Sequence, residues 1–375
     1  MEVLHKRFLL VHLASNGDCL MATTIARQIK SDFPDSHLTW AIGSKCRQVI
    51  ELNPYIDAIW EVPVGPNDSP YDDLWRQVKQ DAERRKSAGE FDDVFYTQIY
   101  PDNLSHFDGT TRSTTFSGYP YPVTVPVSPS LVLSDAEIER VRLFSEKHQL
   151  SGFRQVLLFE CSPSSQQSFM NLDLAIRISE RVVTLVEDVI IIISTHKAIP
   201  STHNRIIDGS ALSYRENAEL SKYCSFLIGC SSGITWLLTS EWAKKLPTLQ
   251  LLSQSSVWYS FASVTYDHQY FKLPADHIFE TDCQDEKGIT DLIVSYIQHG
   301  HFAGAKPYPF QPSVSQIYHL FANVVRDKPI INSVIRQFKK RNPEVHFVEW
   351  KFWGFKMKAG IRLCINRFRP RLNHD

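Results

Sequence analysis

The chain has 375 residues, 43% hydrophobic and 22% charged, with a formal net charge of −1. That is too long for one ordinary core, so two domains are expected, and the composition is that of a soluble globular protein. Its longest apolar runs, such as 189–193, are strand-length and far short of a bilayer span.

The predicted elements alternate. Strands are expected at 8–13, 37–42, 58–62, 93–99, 156–159, 189–194, 225–228 and 248–252. Helical spacing fills most of the gaps, at 19–30, 46–52, 71–88, 135–148, 173–186, 215–223 and 235–244. Strand-then-helix repetition implies α/β architecture with parallel sheets covered on both faces. The first segment passes straight from strand to turn and lacks the long apolar core of a signal peptide. Seven scattered cysteines with no CxxC pair argue for reduced thiols in a cytosolic setting and against structural zinc. A proline- and valine-rich stretch at 120–129, a Ser134 helix cap and the 149–153 link place a domain boundary near residue 151. The expected units are therefore 1–150 and 151–310, with a helical tail at 311–375.

Within this frame a few residues carry chemistry. The opening strand runs into Ala14, Ser15, Asn16, Gly17 and then Asp18, which puts a carboxylate at the carboxyl end of a parallel strand, where open α/β sheets bind ligands. The ordinary alternative is a helix-start acid favoured by the macrodipole. The helix start would lower its pKa and a dry cleft would raise it. Ser162, Ser164 and Ser165 follow the strand at 156–159, and Ser231, Ser232 and Gly233 follow the strand at 225–228. Hydroxyls and backbone N–H groups at such strand ends suit a phosphate without a metal. No metal site is expected, because no D-x-D pair sits at a strand end; Asp72-Asp73 and Asp92-Asp93 are adjacent pairs at element starts.

The order of these segments resembles the heptosyltransferase-type glycosyltransferases (family 9), which have the GT-B fold of two Rossmann-like domains facing a cleft. The S-x-G-D start, the NPYID element at 53–57, the passage at 128–160 and RENAELSKYCSFLIGCSSGITWL carry the resemblance, over roughly residues 8–252. It implies an inverting transferase in which Asp18 is the catalytic base and the first domain binds the acceptor, with Asn16, Gly17 and His106 near it. The second domain would bind a nucleotide sugar through the two serine segments, His196, Lys197, Arg215 and Glu216. The chain departs from the family at Ser231, where Asp is usual, at Trp236, where His is usual, and in lacking a lysine match in 161–170.

Residues 336–375 hold 11 Lys and Arg against 3 acids, interleaved with Trp350, Phe352, Trp353, Phe355 and Phe368. This points to an anionic membrane surface at the cytoplasmic face, rather than to nucleic acid, or else to a basic helix packed on the first domain. The resulting expectation is a metal-independent glycosyltransferase acting on a cell-surface glycan of lipopolysaccharide or capsule type, with no cofactor beyond its nucleotide-sugar substrate. Two rivals stay open: epimerisation of a nucleotide sugar on the same scaffold, and a degenerate relative that binds glycan or a partner transferase.

Overall fold

The computed structural model describes residues 5–66, 68–161, 163, 167–200, 203–253, 263–302, 333–337 and 340. Ser162, Ser164 and Ser165, and nearly all of the basic aromatic tail, lie outside the described residues.

Among the described residues, ten strands form two wholly parallel sheets. The first has the order β3 (Ala58–Val62), β2 (His37–Gly43), β1 (Arg7–Val11), β4 (Asp93–Tyr96). The second has the order β10 (Ile278–Thr281), β9 (Thr248–Leu251), β8 (Phe226–Gly229), β5 (Gln155–Glu160), β6 (Val189–Ser194), β7 (Ile206–Asp208). The boundary expected near 151 falls between the last strand of one and the first of the other. The described helices are α1 (Asn16–Asp32), α2 (Asp73–Ser87), α3 (Thr111–Phe116), α4 (Asp135–Lys147), α5 (Leu172–Leu185), α6 (Glu216–Leu220), α7 (Gly233–Leu237), α8 (Val264–Tyr270) and α9 (Glu286–His299). Among the described residues, no helix is long and apolar enough to cross a membrane.

The strands of the second sheet read as unbroken apolar runs because both of its faces are covered. Leu158, Ile190, Ile192 and Leu227 face a core shared with the first domain. Leu157, Phe159, Ile191, Ile193 and Ile228 face a second core under α5 and α9. The shared core is continuous from Phe8 and Leu10 of β1 through Ile25 and Ile29 of α1 to Leu237 and Leu246, so α1 lies between the two sheets. Its polar residues are buried as well, and they tie down an extended strap at 124–130. Gln28 Oε1 accepts from the Thr124 and Val125 N–H groups at 2.7 and 3.0 Å, and Arg27 donates to the Pro126 carbonyl at 3.0 Å. Thr23 Oγ1 accepts from Ser130 N at 2.9 Å.

Three expected elements change, the first being the strand expected over 93–99, which ends at Tyr96. The segment at 46–52 forms a 3-10 turn at Ser44–Ile50. The helix expected over 235–244 stops at Leu237, where Ser240 N–H turns back to the Leu237 carbonyl and Glu241 N–H is given to Pro129 of the strap. The strands β7 and β10 and the helices α3, α8 and α9 carry no expectation from the sequence.

Candidate active site

β1 ends beside the start of α1. Ser15 is the N-cap and Asp18 the third helical residue, and the Asp18 carboxylate accepts from Ser15 N at 3.4 Å and from Ser15 Oγ at 3.2 Å. Capping and a chemical role are therefore not alternatives here, because the same contacts that start the helix fix the carboxylate's direction. Burial outweighs those hydrogen bonds and pushes the carboxyl up to about 6. Two phenols feel its charge. Tyr71 of the first domain and Tyr214 of the second are both pushed well above the ordinary tyrosine range, first by burial and then by nearby anionic groups, Asp18 among them.

Facing this loop is the start of α7. The ring of Trp236 lies 3.4 Å from where a Cβ on Gly17 would sit, so the two segments singled out in the sequence meet across the domain boundary. Gly17 thus lies inside the first helical turn, with its bare side against the indole. Ser231 adopts φ 49°, is 1% exposed and donates its N–H to Gln250 Oε1 at 2.8 Å. Ser232 is the N-cap of α7. Gly233 is held by the Tyr214 hydroxyl, which donates to its carbonyl at 2.9 Å.

Two buried polar atoms at this junction have no partner, Asn16 Oδ1 and Ser231 Oγ. Orphaned acceptors and hydroxyls are costly in a folded interior, and their placement on both facing loops fits a site that completes its hydrogen bonds with a ligand. Nearby, the imidazole of His12 is wholly buried, paired at Nδ1 with Thr97 Oγ1 at 3.0 Å, and pushed down to about 3 by burial, so it is neutral.

The helix start expected to cradle phosphate is already filled. Glu160, at the end of β5 and 3% exposed, accepts from Cys230 N at 2.8 Å, Ile234 N at 2.8 Å and Thr235 Oγ1 at 2.7 Å. Its carboxylate occupies the favourable end of α7, so a donor phosphate would meet the exposed side of the Ser231–Ser232–Gly233 turn rather than the helix axis. Sequence reading missed this role of Glu160. The signal was a lone charge closing the apolar run 156–159.

Arg215 and Glu216 are corrected. Arg215 is 2% exposed, and its five N–H donors are spent on the first domain: Glu137 twice, the Gln48 and Glu51 carbonyls, and the Val132 carbonyl. Glu216 accepts from Arg140 Nε at 2.5 Å and Ser213 N at 2.7 Å. No donor of this guanidinium is left for a nucleotide; the pair is a joint between the domains. His196 and Lys197 lie exposed beyond β6, and His106 lies exposed in a short turn after β4. Among the described residues there is no group of three or more His, Cys, Asp or Glu able to hold a metal ion.

No protein-family model and no curated protein sequence matches the chain. Among solved structures it is similar to a glycosyl transferase family 9 protein from Veillonella parvula, with a TM-score of 0.52 at 15% identity over 77% of this chain and 89% of that one. It is also similar to a putative UDP-N-acetylglucosamine 2-epimerase from Listeria monocytogenes, with a TM-score of 0.50 at 10% identity over 91% and 98%. E. coli ADP-heptose lps heptosyltransferase II gives a TM-score of 0.47 at 12% identity over 75% and 92%. At such identities the likeness is one of fold. The chain has the α/β architecture of GT-B glycosyltransferases, with two parallel sheets of four and six strands.

Proposed function

We propose that the chain is a glycosyltransferase that moves a sugar from a nucleotide-activated donor to a glycan hydroxyl, with inversion and without a bound metal. The observation that carries this reading is the Asp18 carboxyl, raised to about 6 and fixed by Ser15 opposite the start of α7. A base with a pKa just below neutrality is mostly ionised at pH 7 yet retains appetite for a proton. The acceptor oxygen would attack the anomeric carbon while Asp18 takes its proton. The bond from that carbon to the donor phosphate would break, and the nucleoside diphosphate would leave with the electron pair.

In this reading Asn16 and Gly17 border the acceptor, with His106 further out. Ser231, Ser232 and Gly233 border the donor, together with Ser162, Ser164, Ser165, His196 and Lys197. Structural likeness to a family 9 glycosyl transferase and to an epimerase named for a UDP-sugar supports a nucleotide sugar as the shared substrate class. The metal-free part rests on the sequence, which places no D-x-D pair at a strand end. The acceptor would be a lipid-linked cell-envelope glycan, of lipopolysaccharide or capsule type, met at the cytoplasmic membrane face through the basic aromatic tail.

The test is a thermal-shift screen of ADP-, UDP-, GDP- and CMP-sugars, followed by a product assay with the stabilising donor. A ligand at 100 times its dissociation constant adds about 2.7 kcal/mol. Nucleotide (a diphosphate, or CMP from a CMP-sugar) released only when acceptor is present supports transfer. Acceptor-independent conversion of the donor sugar would favour the epimerase, and no binding to any nucleotide sugar would favour a degenerate binding protein.

A further inference from the structure

Arg112 lies on α3 of the first domain and is wholly buried, where α3, the strap, α7 and α8 meet. Its Nε donates to Asp267 Oδ2 of α8 at 3.0 Å, and its Nη1 donates to the Val127 carbonyl of the strap. Its neighbour Thr111 donates to Met21 Sδ of α1 at 3.3 Å, one turn beyond Gly17. The remaining nitrogen, Nη2, is buried with no hydrogen-bond partner. An unused N–H pair on a buried cation is costly unless something other than oxygen meets it.

Aromatic rings meet it. The guanidinium carbon lies 5.9 Å from the centre of the Trp236 ring and 5.4 Å from that of Phe271. Out of water, an aromatic face attracts a cation and offsets part of the missing hydrogen bond. This sets Arg112 apart from Arg215, whose donors all reach oxygens. Asp267 and Val127 hold the planar fork, and the fork in turn favours one placement of the indole. The same indole has its Cδ1 3.4 Å from the Cβ position of Gly17, in the turn that carries Asp18. Trp236 thus touches Arg112 and the Asp18 loop at once, from the helix that begins at the Ser231–Ser232–Gly233 turn. It also stands where this chain departs from the family pattern, so the arrangement is this chain's own.

On the transfer reading above, we propose that Arg112 is a positioning residue: it seats the Trp236 indole against Gly17 and so fixes the gap between Asp18 and the donor turn. A misplacement of about 1 Å at such a gap can cost about 10²-fold in rate.

The test uses the full chain labelled with 5-fluorotryptophan, with Trp236→Phe identifying the Trp236 19F resonance. Arg112→Met alone strands the Asp267 charge, so Arg112→Met/Asp267→Asn is the working variant. Arg27→Met/Glu241→Gln, which removes another ion pair between the domains, is the control. We expect the Trp236 resonance to move in the working variant and to stay in place in the control. The working variant should lose at least tenfold in kcat with its donor KM within threefold, and the control should keep its kcat. An unmoved Trp236 resonance in the folded working variant, an unchanged kcat, or an equal fall in the control overturns the proposal. Should the working variant fail to fold, Arg112→Lys, which keeps the charge and loses the fork, is read in the same way. A wild type that turns over no donor overturns the transfer reading instead, and the resonance comparison then decides whether Arg112 seats the indole.

Discussion

Replacing Asp18 with Asn should stabilise the fold while abolishing transfer, and the two effects share one cause. The Asp18 carboxyl rises from an ordinary 3.8 to about 6 in the folded protein. At about 1.36 kcal/mol per unit, that shift makes the ionised carboxylate a burden of at most ~3 kcal/mol at pH 8. Because Asp18 is only partly buried in the surface sense, water screening reduces the figure, and ~1–3 kcal/mol is the expected range. The sign follows from proton binding: the folded state holds the proton more tightly, so this group favours folding below pH 4 and loses that advantage as pH rises through 6. Asn keeps an oxygen for the Ser15 hydrogen bonds and never ionises. Urea unfolding of both proteins from pH 4 to pH 8 should show Asp18→Asn the more stable at pH 8, with the gap mostly closed at pH 4. Transfer should fall by about 10²–10⁴-fold, the usual cost of losing a positioned base. Wild-type turnover should rise through about pH 6. A wild type that is more stable at every pH, by a constant margin, would refute the reasoning and leave Asp18 a plain helix cap.

Arg215→Ala should destabilise the protein by about 3–5 kcal/mol in urea unfolding, because it leaves Glu137 unpaired at the domain joint; nucleotide-sugar affinity of the folded fraction should stay within a few-fold. Glu160→Gln should cost about 1–3 kcal/mol, since an amide cannot accept all the hydrogen bonds that the carboxylate takes from Cys230, Ile234 and Thr235; donor affinity, measured by calorimetry, should fall with it. Gly233→Val should lower stability as well as donor binding, because its Cβ would come within 3.1 Å of the Tyr214 ring. Deleting residues 344–375 should release the protein from anionic vesicles in a co-sedimentation assay and spare transfer to a soluble acceptor; full-length binding should weaken with salt, at about 1 kcal/mol per basic residue engaged.

The alternation of strands and helices was legible because a strand buried on both faces leaves an apolar run, and a helix on a sheet leaves a stripe. Eight of the ten strands carry that mark; β7 and β10 do not, being three and four residues long at the sheet's edges. The stripe of α1 at Met21, Ala22, Ile25, Ala26 and Ile29 was equally plain. The polar residues between them, Thr23, Thr24, Arg27 and Gln28, are buried against the strap at 124–130. Periodicity cannot tell a polar face that meets water from one that meets backbone carbonyls 100 residues away. Arg215 follows the same logic, since its partners at 48, 51, 132 and 137 come from the other domain.

Glu160 shows why the start of α7 differs from the sequence expectation. A small-residue turn after a parallel strand does mark an anion-friendly place, and an anion sits there, but it is supplied by the chain itself. Glu280 does the same in β10, accepting from Ser263 Oγ at 2.6 Å and from the Val264 and Thr265 N–H groups at 2.7 and 3.0 Å at the start of α8. Both carboxyls are raised by burial, yet both are surrounded by donors. The second domain thus uses strand-end glutamates to build two of its helix starts, which ties the shape of each turn to an internal ion rather than to a ligand. On the proposed function, the Ser231 turn would be set before a donor arrived: its positive φ, its N–H on Gln250 and the Tyr214 hydroxyl on Gly233 are all in place. A preformed turn loses little freedom on binding, and in the proposed reaction the fixed carboxylate across from it on α1 would need no rearrangement to meet an acceptor hydroxyl.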